Sequence, residues 1–133
     1  MDDYRPLKAN ERDILARLLE ANFPGRDELR EQLDSVTATE LDENGSLALR
    51  CGPARPAVVK CRVATEGECA DADGVAIHVL LHVVDGMVHE LEVFKDDSSR
   101  VQNPPIARGL ALFTPYGEAG VESGAGEPGA TES

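Results

Sequence analysis

The sequence predicts an α+β fold, with two N-terminal helices packed on one face of a mainly antiparallel five-stranded meander sheet. Three observations carry that expectation. Ile14, Leu15, Leu18 and Leu19 recur at helical spacing near the start of the chain. Runs rich in Val, Thr, Ile and Leu then follow, separated by Asn, Gly and Pro. Among them, residues 74–94 hold two β-rich runs joined at Asp85-Gly86, a strong short hairpin signal.

Residues 1–9 read as a short lead. Asn10 reads as an N-cap with Asp13 as a weak capping-box partner, and Glu11 and Asp13 suit the positive end of a helix dipole. This helix stops near Asn22, ahead of Pro24, and Phe23 folds back as a core plug. A second helix is expected over residues 26–34, with Leu29 and Leu33 one turn apart on its inner side. Residues 36–41 and 47–51 read as strands around an Asn44-Gly45 turn. Pro53 and Pro56 make the next stretch a loop, because proline offers no ladder donor. Residues 57–65 alternate as a third strand, residues 66–73 read as an acidic loop, and the hairpin follows. The expected domain spans residues 1–116, with an ordered core over about 4–97 and a short C-terminal arm over 101–116. Residues 117–133 carry four acidic and no basic side chains among Gly, Ala, Ser and Pro. Such a segment buries too little apolar surface to offset ordering, so it reads as a disordered tail.

The hairpin register decides which side chains share a face. A two-residue turn at Asp85-Gly86 sets His82 against His89, with Glu90 and Glu92 on the face of Leu81, Val79 and Ile77. A three-residue loop with Gly86 as a left-handed bulge keeps both carboxylates off that face. Burying an unpaired carboxylate is costly, so the bulged loop is favoured. It places Met87, His89, Leu91 and Val93 on the core face. His78, Leu80, His82, Val88, Glu90, Glu92 and Phe94 then lie on the other, with His78 opposite Glu92 and His82 diagonal to Glu90.

Composition narrows the function classes. The 133 residues carry a net charge of −12, with 41% hydrophobic and 29% charged side chains. Residues 1–65 hold ten basic and twelve acidic groups, whereas residues 66–97 hold one basic group, Lys95, against nine acidic ones. That imbalance disfavours nucleic acid and anionic membranes as partners and suits a basic protein or a divalent cation. No apolar run reaches membrane-spanning length and the N-terminus lacks a signal-peptide core, so the expected location is cytoplasmic. Cys51, Cys61 and Cys69 match no zinc or redox spacing and read as reduced thiols, Cys69 the most exposed. Phosphate-binding glycine motifs and a nucleophile elbow are missing, so no cofactor and no catalytic residue is assigned.

The candidate metal ligands are His78, His82, Glu90 and Glu92. Imidazole and carboxylate at cross-strand distance can hold zinc or exchange a proton. His78 and His82, four residues apart on a strand, lie about 13 Å from each other, so one ion cannot take both. The plainer reading is a half-wet sheet face carrying His–Glu pairs. A His82–His89 pair in the other register is half a metal site. The acidic stretch of Glu66, Glu68, Asp71 and Asp73 lacks the ligand pattern of a calcium loop.

Arg5-Pro6-Leu7, Phe23-Pro24-Gly25, the run from His78 to Gly86 and the run from Glu90 to Phe94 together resemble a group of small uncharacterised bacterial, actinobacterial-like α+β proteins. Some similar small domains act as immunity proteins beside toxins. The resemblance implies a structural framework and transfers no site residue. The sequence therefore points to a small cytoplasmic, non-catalytic protein-binding module with an acidic surface, immunity-like in kind. The alternative is a small metal-dependent or acid–base enzyme using His82 and Glu90.

Overall fold

The computed structural model describes residues 3–115. Among the described residues, seven strands form one antiparallel sheet: β1 (Arg5–Pro6), β2 (Val36–Glu40), β3 (Leu47–Cys51), β4 (Val63–Ala70), β5 (Ala76–Val84), β6 (Met87–Lys95) and β7 (Ala111–Phe113). Two short helices, α1 (Ala9–Leu18) and α2 (Arg26–Gln32), interrupt them. The lateral order is β1-β2-β3-β6-β5-β4-β7. The expected five-stranded meander with two N-terminal helices packed on it is therefore corrected to a mainly antiparallel seven-stranded sheet with two short helices. Both added strands are edges of two or three residues, too short to show a period of two. The meander order fails because β3 pairs with β6 rather than β4: Leu47 lies opposite Leu91 and Ala48 opposite Glu90.

Local chemistry sets the helix ends. Glu11 Oε1 accepts the Lys8 backbone N–H at 2.8 Å, so α1 starts before Asn10. It stops at Leu18, short of the expected Asn22. Gly25 opens α2 with φ +94°, and a Cβ there would meet Val59 Cγ1 at 2.8 Å. Beyond Gln32 the chain tightens into a 3-10 turn over Leu33–Ser35. The core takes Leu15, Leu18 and Leu19 from the first helical segment, Leu29 from α2, and Ile77, Val79, Leu81, Leu91 and Val93 from the hairpin. Contact between α1 and β4 is close at Gly67, where a Cβ would meet Leu18 and Leu110 side chains at 3.1 and 3.2 Å. Among the described residues, no helix is long and apolar enough to cross a membrane.

The hairpin resolves its register in a way the sequence reading did not consider. Asp85 and Gly86 have φ of +53° and +78°, a two-residue turn in which Val84 pairs with Met87 and Val83 with Val88. The ladder then slips by one at His89, and His82 pairs with Glu90, Leu81 with Leu91 and Val79 with Val93. The favoured three-residue loop is thus corrected: the bulge exists but sits beyond the turn. His78 faces Phe94 rather than Glu92, and His82 faces Glu90 directly. Val88 is buried and His89 exposed, the reverse of their expected placement. Glu90 and Glu92 still leave the core face, as the cost of burying a carboxylate requires.

The expected acidic loop is also corrected. Glu66 to Ala70 belong to β4, and the preceding residues expected as strand, 57–62, do not join the ladder. Only residues 71–74 turn. Asp71 is fully buried, and its oxygens accept the backbone N–H groups of Ala72, Gln102 and Asn103 and the Lys95 ammonium. Lys95 Nζ lies 3.0 Å from Asp71 and 2.6 Å from Asp73, with its side chain wholly buried. Burial opposes both charges, yet these bonds outweigh it: Asp71 is held far below the ordinary carboxylate range and Lys95 above its usual value. Through Asp71 the β4–β5 turn grips residues 102–103. The chain then runs to β7, a short strand that pairs with β4 at the edge of the sheet. The tail read from residues 117–133 lies outside the described residues.

Candidate functional site on the outer sheet face

The strands pair so that one face of β4, β5 and β6 gathers His78 and His82 with Glu66, Glu68, Glu90 and Glu92. Glu66 sits opposite Leu80, Glu68 opposite His78, and His82 opposite Glu90. Leu80 also faces Glu92, and His78 faces Phe94. This face is turned away from the core, which takes the alternate residues Gly67, Val79, Leu81, Leu91 and Val93.

The four candidate ligands separate into two constellations. His78 is held by carboxylates on both ring nitrogens: Nδ1 lies 2.9 Å from Glu66 Oε2 and Nε2 2.5 Å from Asp96 Oδ1. The Phe94 ring stacks on it at 5.2 Å. Two ionised carboxylates as acceptors favour the doubly protonated ring, which donates from both nitrogens. Partial burial opposes that charge, but Glu66 and Asp96 outweigh it and raise the His78 pKa above its usual value. While doubly protonated between Glu66 and Asp96, His78 offers no lone pair to a metal.

His82 is wired differently. Arg62 Nε donates to its Nδ1 at 2.9 Å, and its Nε2 lies 2.8 Å from Glu92 Oε1. A guanidinium cannot accept, so Nδ1 holds the lone pair and Nε2 carries the proton towards Glu92. The local backbone places Arg62: its carbonyl accepts Val83 N–H at 2.7 Å where β4 is irregular between Val63 and Thr65. Ligand atoms of His82, Glu90 and Glu92 all lie within 4.8 Å of one another, on half-buried side chains. The structure thus groups three of the four candidates and leaves His78 apart. The His82–His89 pair does not form, because the bulge puts His89 out to solvent.

The acidic stretch also divides. Glu66 joins His78, while Asp71 and Asp73 take Lys95 as their counter-ion. Sequence reading missed Lys95, yet a signal existed: it continues the inward series Leu91, Val93, Lys95 at period two. Arg62 and Asp96 carried no such signal, because their roles depend on partners twenty and eighteen residues away. Cys69, expected in a loop, lies on β4 and packs partly against the core, where burial, Asp71 and Glu68 push its thiol up. All three cysteines are free thiols.

A groove of about 380 Å³ borders this face between Leu80, Val63, Phe113 and Pro115. It reaches Glu66 but is not lined by His82, Glu90 or Glu92. Phe94 and Phe113 remain 37% and 47% exposed, which leaves aromatic surface beside the carboxylates.

The fold and face define a small antiparallel-sheet protein whose polar groups line a broad surface. The chain belongs to the family described as a domain of unknown function, DUF6984, whose model matches residues 4–105. No curated protein and no solved structure matches it.

Proposed function

We propose that the protein is a non-catalytic binding module of the bacterial cytoplasm that offers its acidic outer sheet face to a basic protein, as an immunity protein offers one to a toxin. The observation that carries this reading is the composition of the face. Glu66, Glu68, Glu90, Glu92 and Asp96 surround the apolar Leu80, Phe94 and Phe113. Carboxylates around an aromatic centre match the anatomy of a protein interface: the apolar groups supply buried area, and the charges steer the partner and set its sign. Catalysis at His82 and Glu90 has less support, since Arg62 and Glu92 engage both ring nitrogens of His82 and the neighbouring groove stops short of it.

The test is capture from the organism's own lysate, comparing the full chain with a Glu68→Lys, Glu90→Lys double variant. The expected partner is basic, is lost from the variant, and elutes as salt shortens the Debye length from about 10 Å at 0.1 M. Recovery of only acidic proteins, or of a partner that binds both forms equally, overturns the reading.

A further inference from the structure

We propose that His82, Glu90 and Glu92 form a binding site for a zinc-class divalent cation, and that Arg62 is the cation's built-in competitor. Two strand neighbours and a bulge build the site. The slip at His89 moves Glu90 from beside His82 to directly opposite it, and Glu92 follows two residues along the same face. Without that slip, His82 would face His89 and both carboxylates would turn towards the core. The bulge therefore assembles one imidazole and two carboxylates, a mixed N/O donor set that suits zinc and its neighbours better than calcium or magnesium.

The spacing fits. An ion held at about 2.0–2.1 Å by each ligand sets its donor atoms roughly 3.3 Å apart in a tetrahedral shell. Here the three donor atoms lie within 4.8 Å, and His82 Nε2 is already 2.8 Å from Glu92 Oε1. Small rotations about the glutamate side chains close the rest. Three protein ligands leave a fourth position for water or for a side chain from another protein.

Arg62 supplies the regulation. Its Nε–H on Nδ1 forces the tautomer that keeps a proton on Nε2, the nitrogen a cation would use. Metal binding at Nε2 moves that proton to Nδ1, and two donors then face each other, so the guanidinium must leave. It is an exposed side chain and can swing away. The guanidinium and the ion also compete for the same negative field of Glu90 and Glu92.

The experiment is a titration of the full chain with zinc alone, followed by calorimetry and by NMR of the histidine rings. The expected result is saturable 1:1 binding with the His82 ring signals shifting and those of His78 unmoved. Arg62→Ala is expected to tighten binding about tenfold. Glu90→Gln and Glu92→Gln are expected to weaken it at least tenfold. Two results overturn the site: His82 signals unmoved by millimolar zinc in both wild type and Arg62→Ala, or stoichiometric binding that survives His82→Asn. Because Arg62 is exposed, its variant reports on competition without disturbing the core. Binding that Arg62→Ala leaves unchanged overturns the competitor role.

Discussion

Gln32 offers the sharpest test of how the face is held in place. It ends α2, is completely buried, and spends its whole amide on the hairpin and its neighbouring loop. Nε2 donates to Gly86 O at 2.8 Å and Arg55 O at 2.9 Å, and Oε1 accepts Val88 N–H at 2.9 Å. Gln32→Met keeps the volume and removes all three bonds. Gly86 O retains the Ala57 N–H, but Val88 N–H is left buried. A stranded buried donor costs about 1–3 kcal/mol, and each lost carbonyl bond about 0.5–1.5 kcal/mol. The expected loss is about 3 kcal/mol, or roughly 10 °C in Tm for a chain of this size. Urea denaturation measures it, with the midpoint falling and the slope unchanged. A loss under about 1 kcal/mol refutes the reasoning. Gln32→Glu adds a sign test. The carboxylate would face two carbonyl oxygens in the core, so its folded pKa lies above the unfolded value of about 4.3. That variant's stability is greatest below the unfolded value and falls as pH rises through the folded one.

Three further outcomes follow from the same contacts. His78 has a folded pKa above its ordinary 6.5, so its bridge between Glu66 and Asp96 contributes fully below pH 6.5 and is lost as pH rises through the folded value; thermal melts should show that decline in wild type and not in His78→Phe. Asp71 titrates in the opposite sense: its contribution is present above the unfolded 3.8 and disappears as pH falls through its lower folded pKa. Lys95→Met should therefore destabilise the protein at pH 7, with the gap from wild type narrowing in acid; an unchanged Tm at pH 7 would exclude a structural role for the cluster. Gly86→Ala should cost at least about 1–2 kcal/mol for its left-handed backbone, and more because the new Cβ would lie 2.7 Å from Ala57 O and from Pro56 Cβ; chemical denaturation reads the loss directly.

Local pattern carried much of the architecture. Period two across residues 77–83 and 91–95 marks one inward face, and Asp85-Gly86 marks the turn between. The rule against burying unpaired carboxylates kept Glu90 and Glu92 outside, even though the loop assumed for it was wrong. Composition also isolated the acidic segment from which the outer face is largely built. These features are legible because each depends on residues a few positions apart.

What the tertiary structure decided depends on distant chain segments. The position of the bulge at His89 is a compromise between a two-residue turn that suits the strand twist and a ladder that must keep carboxylates wet, and only the paired strands reveal where the extra residue goes. Lateral strand order follows from β3 pairing with β6, forty-odd residues away, which no local period records. Lys95 could be buried because Asp71 and Asp73 come to meet it. Likewise His82 became a ligand candidate, and His78 a closed ion bridge, through the partners each acquired on folding. A residue's type is written in the chain, but its charge state and its free lone pairs are set by which groups the fold brings within about 3 Å.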